Sequence, residues 1–197
     1  MCKNGIKEAA ACIRRGGVVA FPTETYYGLA ADPDCEQAIE RLFEIKKREL
    51  DQPLLLLVES IEALQQVVAD IPETYLALMT SHWPGPLTLI FPAKTTVSRK
   101  ITGGTDTVGV RISSHPVAQQ LVVEMGKAIT ATSANFSGMP PAVSAFDVKN
   151  IFQGSVDYIL DGGSTTAGLC STILGIKNKK LTVFRKGQID VVGDLGV

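Results

Sequence analysis

Histidine is scarce in this chain: His82 and His115 are the two among 197 residues. The four cysteines, Cys2, Cys12, Cys35 and Cys170, stand apart with no C-x-x-C pair. Neither a zinc centre nor the disulfide framework of a secreted domain is expected, and thiols in a reducing compartment fit better. An excess of one charge is missing too. With 19 basic and 20 acidic side chains the formal net charge is −1, so bulk electrostatics makes no case for a nucleic acid or membrane partner. Any anion site has to be built locally. No apolar run approaches the roughly 20 residues that cross a bilayer, and the N-terminus has no signal-peptide pattern, so a cytoplasmic protein is expected. H-E-x-x-H, G-x-S-x-G, Ser-His-Asp and paired-carboxylate patterns are absent, which disfavours metal-hydrolytic and covalent chemistry.

What is present is a chain with 45% apolar residues, enough to bury a core, read here as one globular unit over residues 1–197. Spacing predicts helices over 5–15, 34–48, 60–69, 72–81, 116–126 and 144–152. Asp34 and Gln37 stand in capping-box positions, and Pro72 and Pro116 at helix starts. Short apolar strands are expected at 18–21, 54–58, 87–91, 107–112, 129–131 and 156–160, with a closing hairpin of 171–176 and 181–187 that turns near Asn178. The lone Trp83, in Trp-Pro-Gly-Pro, reads as a packing anchor, and 95–106 as a surface loop.

Strands that run into small polar loops carry the chemical signal. Ile129 to Pro141 begins as a strand and then turns to Ser133, Asn135, Gly138 and two prolines, short groups that donate and accept hydrogen bonds. Pro22 to Ala30 repeats the pattern with two threonines, Glu24 and two tyrosines. Each is either an ordinary connection or a ligand loop. Lys46-Lys47-Arg48 closes a helix, where the helix dipole alone favours cations. Arg111 sits amid apolar strand residues and needs an anionic partner, either a core carboxylate or a ligand. The Gly/Ser/Thr loop 161–168 lacks the Walker lysine and is a weak phosphate signal. Taken together, Thr23, Lys46, Arg48, Arg111, Ser133, Asn135, Ser171 and Arg185 fit an anionic ligand with several hydrogen-bonding edges, such as a nucleotide plus a small carboxylate. Chemistry of positioning and charge stabilisation, such as nucleotidyl transfer, suits that set.

The segments FPTETYYGL (21–29), KKR with the following PL (46–54), WPGPLT (83–88), VGVRI (108–112), TSANFSG (132–138), STI (171–173) and RKG (185–187) resemble the YrdC/TsaC family in order and spacing, over nearly the whole chain. The resemblance implies an α/β fold, a single YrdC-like domain with a twisted mixed β-sheet, flanking helices and a positively charged cleft. It also implies the activity of an L-threonylcarbamoyladenylate synthase. Such an enzyme condenses L-threonine, bicarbonate or CO2, and ATP to threonylcarbamoyl-AMP and pyrophosphate, for the N6-threonylcarbamoyl modification of adenosine 37 in tRNA. On this likeness Lys46 and Arg48 are catalytic and, with Ser133 and Asn135, hold the nucleotide and its phosphates. Thr107, Pro141 and Arg185 match positions near ATP, while Thr23, Arg111, Ala131 and Ser171 match positions that hold threonine. Mg2+ arrives with ATP, and no protein-built metal site is expected. The product passes to a downstream tRNA threonylcarbamoyl transferase.

Two departures stand out: Glu49 replaces a proline common after Lys-x-Arg, and Leu57 stands where some members have a histidine near threonine. The chain is also expected to lack the extra C-terminal domain of longer members. Rival readings are an RNA-binding module with a basic cavity, a carbamoyl-adenylate-forming domain like that of hydrogenase-maturation proteins, and a non-catalytic interaction protein. The balanced charge and the lack of interleaved aromatics count against RNA as the primary ligand.

Overall fold

The computed structural model describes residues 3–191 except 167; Cys2, and Ala167 within the loop 161–168, lie outside the described residues. In chain order the elements are α1 (Lys3–Arg14), β1 (Val19–Pro22), β2 (Tyr27–Ala30), α2 (Glu36–Lys46), β3 (Leu55–Leu57), α3 (Leu76–His82), β4 (Leu87–Pro92), α4 (Arg99–Thr102), β5 (Thr107–Arg111), α5 (Pro116–Met125), β6 (Ile129–Thr130), β7 (Thr132–Ser133), α6 (Ala145–Phe152), β8 (Tyr158–Ile159), β9 (Thr172–Lys177) and β10 (Lys180–Arg185). The mixed α/β class expected from the sequence is what forms. Its strands divide between two mixed sheets, a four-stranded one ordered β7-β2-β1-β8 and a six-stranded one ordered β10-β9-β4-β5-β3-β6.

The continuous apolar runs in β1 and β3 have a simple cause. Successive strand residues point to opposite faces, and both faces here are covered. Val19, Phe21 and Leu57 join α1 and α5 in one buried cluster, while Val18, Ala20, Leu56 and Val58 join α2, β4 and Trp83 in the larger one. The stripe Ile6, Ala9, Ala10 and Ile13 of α1 is buried in the first cluster, as its spacing predicts.

One short segment joins the two sheets. Ile129 and Thr130 pair with Leu57 and Leu56 in the large sheet; Thr132 and Ser133 then pair with Leu29 and Gly28 in the small one. Ala131 makes the crossing, donating its N–H to the Leu55 carbonyl at 2.9 Å. Gly28 sits on this seam because a Cβ there would lie 3.2 Å from the Phe21 ring and 3.4 Å from the Thr132 carbonyl oxygen.

Several local expectations are corrected. Asp34 does not cap α2: the cap residue is Cys35, with no side-chain bond, while the Asp34 carboxylate pairs with Lys127 at 2.8 Å. The helix expected at 60–69 is a 3-10 turn at Glu62–Gln66. The one expected from Pro72 starts as another such turn, Glu73–Tyr75, before α3. The 95–106 loop contains α4, whose Ile101 is fully buried and whose Ile101 carbonyl takes the Leu54 N–H at 2.8 Å. β2 was hidden in sequence inside the polar loop 22–30. His115 caps α5 by accepting the Val117 N–H on its Nδ1 at 3.2 Å.

Candidate active site

The ends of β1, β4, β5, β7 and β10 open on one cleft. Its wall includes Thr23, Arg48, Thr107, Arg111, Ala131, Ser133, Ser171 and Arg185, all expected site residues drawn from six separate stretches of chain. Lys46, Asn135 and Pro141, expected beside them, are not among the lining residues.

Arg111 closes β5 with its side chain only 5% exposed. Its partner is Glu24, whose Oε1 lies 3.6 Å from Nη1. Glu24 is held from its other oxygen by the Ser113 hydroxyl, which itself accepts the His115 N–H at 3.2 Å. Within the chain Arg111 thus has a carboxylate partner, but an incomplete one: Arg111 Nε and Glu24 Oε1 are buried with no hydrogen-bond partner. Burial pushes the Arg111 pKa down, Glu24 holds it up, and the nearby Arg185 charge lowers it again.

Arg185 reaches the cleft at the end of β10. Its Nε donates to the Ser171 carbonyl at 3.1 Å and its Nη2 to the Ser171 hydroxyl at 2.9 Å. That hydroxyl shares a further hydrogen bond of 2.9 Å with Thr88. The glycine of Arg-Lys-Gly explains the docking. A Cβ on Gly187 would come within 2.3 Å of the Cys170 carbonyl oxygen and 2.4 Å of backbone atoms of Ser171 and Thr172, so only glycine lets these chains lie together. Arg48, just past α2, donates to the Pro53 carbonyl at 2.9 Å and keeps a buried Nε without a partner. Burial first, and then the Arg185 charge, lower its pKa. Two guanidinium groups, each with a buried and unpartnered Nε, beside a third cation make a site that an anion would complete.

The hydroxyl residues are held in place by their own turns. Thr23 Oγ1 donates to the Tyr26 carbonyl at 2.7 Å and accepts the Thr25 N–H at 3.2 Å, so the turn reading of that loop and its place in the cleft are both correct. Tyr26 and Tyr27 tie the glycine-rich loop across it, through the Gly168 carbonyl at 2.7 Å and the Gly163 carbonyl at 2.8 Å.

Sequence reasoning missed Glu24 and Ser113 behind Arg111, and Thr88, Tyr26 and Cys170 on the wall. Thr88 carried a signal: it is a polar residue between Leu87 and Leu89, which face the core, and it lines the cleft with Ile90. Leu57, noted as a departure near threonine, is fully buried in the cluster under α1 and α5. Leu55 is the residue of β3 on the cleft.

The family model Sua5_yciO_yrdC, described as telomere recombination, matches residues 11–187. A threonylcarbamoyl-AMP synthase of Pyrococcus abyssi is 43% identical over 184 residues, covering 93% of this chain and 54% of that protein. The chain thus spans about half the length of that relative. A threonylcarbamoyl-AMP synthase of Idiomarina loihiensis is 38% identical over 180 residues, covering 90% of this chain and 96% of that protein. The crystal structure of P. abyssi Sua5 complexed with L-threonine matches with a TM-score of 0.91 at 41% identity, covering 96% of this chain and 58% of that one. Sequence, fold and cleft lead to one conclusion: the chain belongs to the Sua5/YciO/YrdC family.

Proposed function

We propose that the cleft joins L-threonine, CO2 or bicarbonate, and ATP into threonylcarbamoyl-AMP, releasing pyrophosphate. The observation that carries this reading is the convergence of Arg48, Arg111 and Arg185 on one cleft otherwise walled by short hydroxyl and small apolar residues. Arg111 takes the threonine carboxylate, with Thr23, Ala131 and Ser171 around the rest of the amino acid; that a relative is complexed with L-threonine supports this choice of ligand. The free amine attacks CO2; a C–N bond forms, one C–O π bond opens, and a proton leaves to water. The carbamate oxygen then attacks the α-phosphorus as the bond to the β-phosphate bridge breaks. Arg48 and Arg185 stabilise charge on the phosphates, while Ser133 and Thr107 position the nucleotide. No protein nucleophile is required.

Among the described residues no group of three or more His, Cys, Asp or Glu is placed to hold a metal ion. Magnesium enters this reading as part of the substrate, MgATP, bound by phosphate oxygens and water. The product is a reactive mixed anhydride that a transferase has to consume, and on the family likeness the acceptor in this reading is tRNA. A cytoplasmic setting suits both ends of that sequence, and no helix among the described residues is long and apolar enough to cross a membrane.

The test mixes purified protein with ATP, Mg2+, bicarbonate and L-threonine, follows pyrophosphate, and identifies the adenylate by mass spectrometry. Threonine-dependent release with that adduct is expected. Arg111→Met should lower kcat/KM for threonine by roughly 10- to 100-fold, the loss of a charge-assisted pair. Release that ignores threonine but responds to carbamoyl phosphate would establish the carbamoyl-adenylate chemistry instead, and tight RNA binding without turnover would establish an RNA module.

A further inference from the structure

The two charged residues of Lys-x-Arg part company in space. Between them Lys47 adopts a left-handed conformation, φ 51° and ψ 47°. Its N–H reaches the Glu44 carbonyl at 3.0 Å while the Arg48 N–H reaches that of Phe43 at 3.0 Å, a pairing that ends a helix by reversing the chain. Arg48 is thereby turned onto the cleft wall and Lys46 is left facing the interior, 1% exposed.

Lys46 is fully occupied there. Its ammonium donates to the Ser133 carbonyl, to the Asn135 carbonyl at 2.9 Å and to Asn135 Oδ1 at 3.1 Å. An ammonium has three N–H groups and no acceptor, so none is left over for a ligand. The Lys46 carbonyl in turn accepts the Ser137 N–H at 2.9 Å. One residue thus ties the loop at 133, 135 and 137. Asn135 is fixed in the same web: its Oδ1 accepts the Ser133 hydroxyl at 2.6 Å and its Nδ2 donates to the Met139 carbonyl at 2.5 Å. The opposite side of this loop presents Ser133 to the cleft. Burial, and then the Arg48 charge, pull the Lys46 pKa down to about 7. The three acceptor oxygens favour the charged form and oppose that shift.

We propose that Lys46 is a positioning residue: it folds the Ser133–Ser137 loop from behind, and leaves the ligand's phosphates to Arg48 and Arg185. Its effect on nucleotide affinity rests on the function proposed above; its hold on the loop does not.

The deciding experiment labels amines of the wild-type protein by reductive methylation, with and without MgATP. Lys46 should remain unmodified while the exposed Lys47 reacts, and nucleotide should change its labelling less than twofold. A lysine that faced the cleft with a pKa near 7 would react fast when free and be protected several-fold by ATP, and that result would overturn the proposal. In parallel, amide hydrogen exchange at 133–137 in ligand-free Lys46→Met should accelerate at least tenfold, with β4 unchanged and with no such effect in Arg48→Met. Unaltered loop exchange in Lys46→Met would also overturn it. For nucleotide binding, adding Asn135→Ala to Lys46→Met should weaken affinity less than threefold further, because both act through one loop; losses that multiply would mean separate contacts with the ligand. Should Lys46→Met not fold, the wild-type labelling decides alone. Should the protein bind no ATP, labelling of the free protein and loop exchange still decide.

Discussion

Removing the charge behind Arg111 is the sharpest test of how the cleft is built. In Glu24→Gln the guanidinium, 5% exposed, loses the carboxylate 3.6 Å away, and the remaining cations of the cleft only repel it. Breaking a buried ion pair from one side costs about 3–5 kcal/mol, because the surviving charge is left desolvated. This pair is long and Glu24 retains 14% exposure, which puts the expected loss at the lower end, about 3 kcal/mol. For a chain of this size that corresponds to a fall of roughly 6–12 °C in Tm. Urea unfolding at neutral pH, read as a shift in midpoint at constant slope, gives the number directly. The double variant Glu24→Gln/Arg111→Met is the informative control: with no charge left to strand, it should be more stable than Glu24→Gln alone. If Glu24→Gln loses less than about 1 kcal/mol, or the double variant loses the sum of the two singles, Glu24 is not what holds the guanidinium and the argument fails.

Gly187→Ala forces a methyl group into the backbone of 170–172 and should cost about 3 kcal/mol, the upper end for overpacking. It should also detach Arg185 from Ser171, visible as a weaker response to added nucleotide in thermal-shift measurements. Ser144→Ala removes the hydroxyl that accepts the Asp147 N–H at 3.1 Å at the start of α6, and should cost about 1 kcal/mol in denaturant with the cleft untouched. Burial alone would raise the Asp157 pKa, but hydrogen bonds from Arg41 and from the Val18 N–H outweigh it and hold the group below its ordinary value. A carboxyl depressed in the fold stabilises above its unfolded pKa, about 4, and that contribution disappears as the pH falls through the folded value. Asp157→Asn should therefore lose less stability than the parent between about pH 4 and more acidic solution, measured by urea midpoints across pH.

Where local chemistry decides structure, it was readable in the sequence. The stripe of α1, the apolar runs of β1 and β3 and the Asn178 turn of the closing hairpin all follow from spacing and residue type. So does the placing of polar residues at strand ends, which is why most of the expected site residues meet in one cleft. What escaped depended on partners distant in sequence. Asp34 read as a helix cap, yet Lys127 claims its carboxylate. β2 has too few residues to show alternation, and it exists because β1 and β7 flank it. Lys46 looked like any cation near a helix end. Its burial depends on oxygens supplied by Ser133 and Asn135, and no period or propensity carries that information. Glu24 was visible as a carboxylate among threonines, but its ion-pair partner Arg111 lies at the end of β5, far along the chain.

The strand that crosses from one sheet to the other has a kinetic consequence. Ile129 to Ser133 must find Leu57 at one end and Leu29 at the other, so it can be laid down only after two pairings between remote parts of the chain exist. Closing such distant contacts is slow compared with forming helices and hairpins. The cleft wall should therefore be assembled late in folding. A refolding chain should regain helical signal and burial of Trp83 before it regains the ability to bind any ligand there, which makes ligand binding a report on the completed fold.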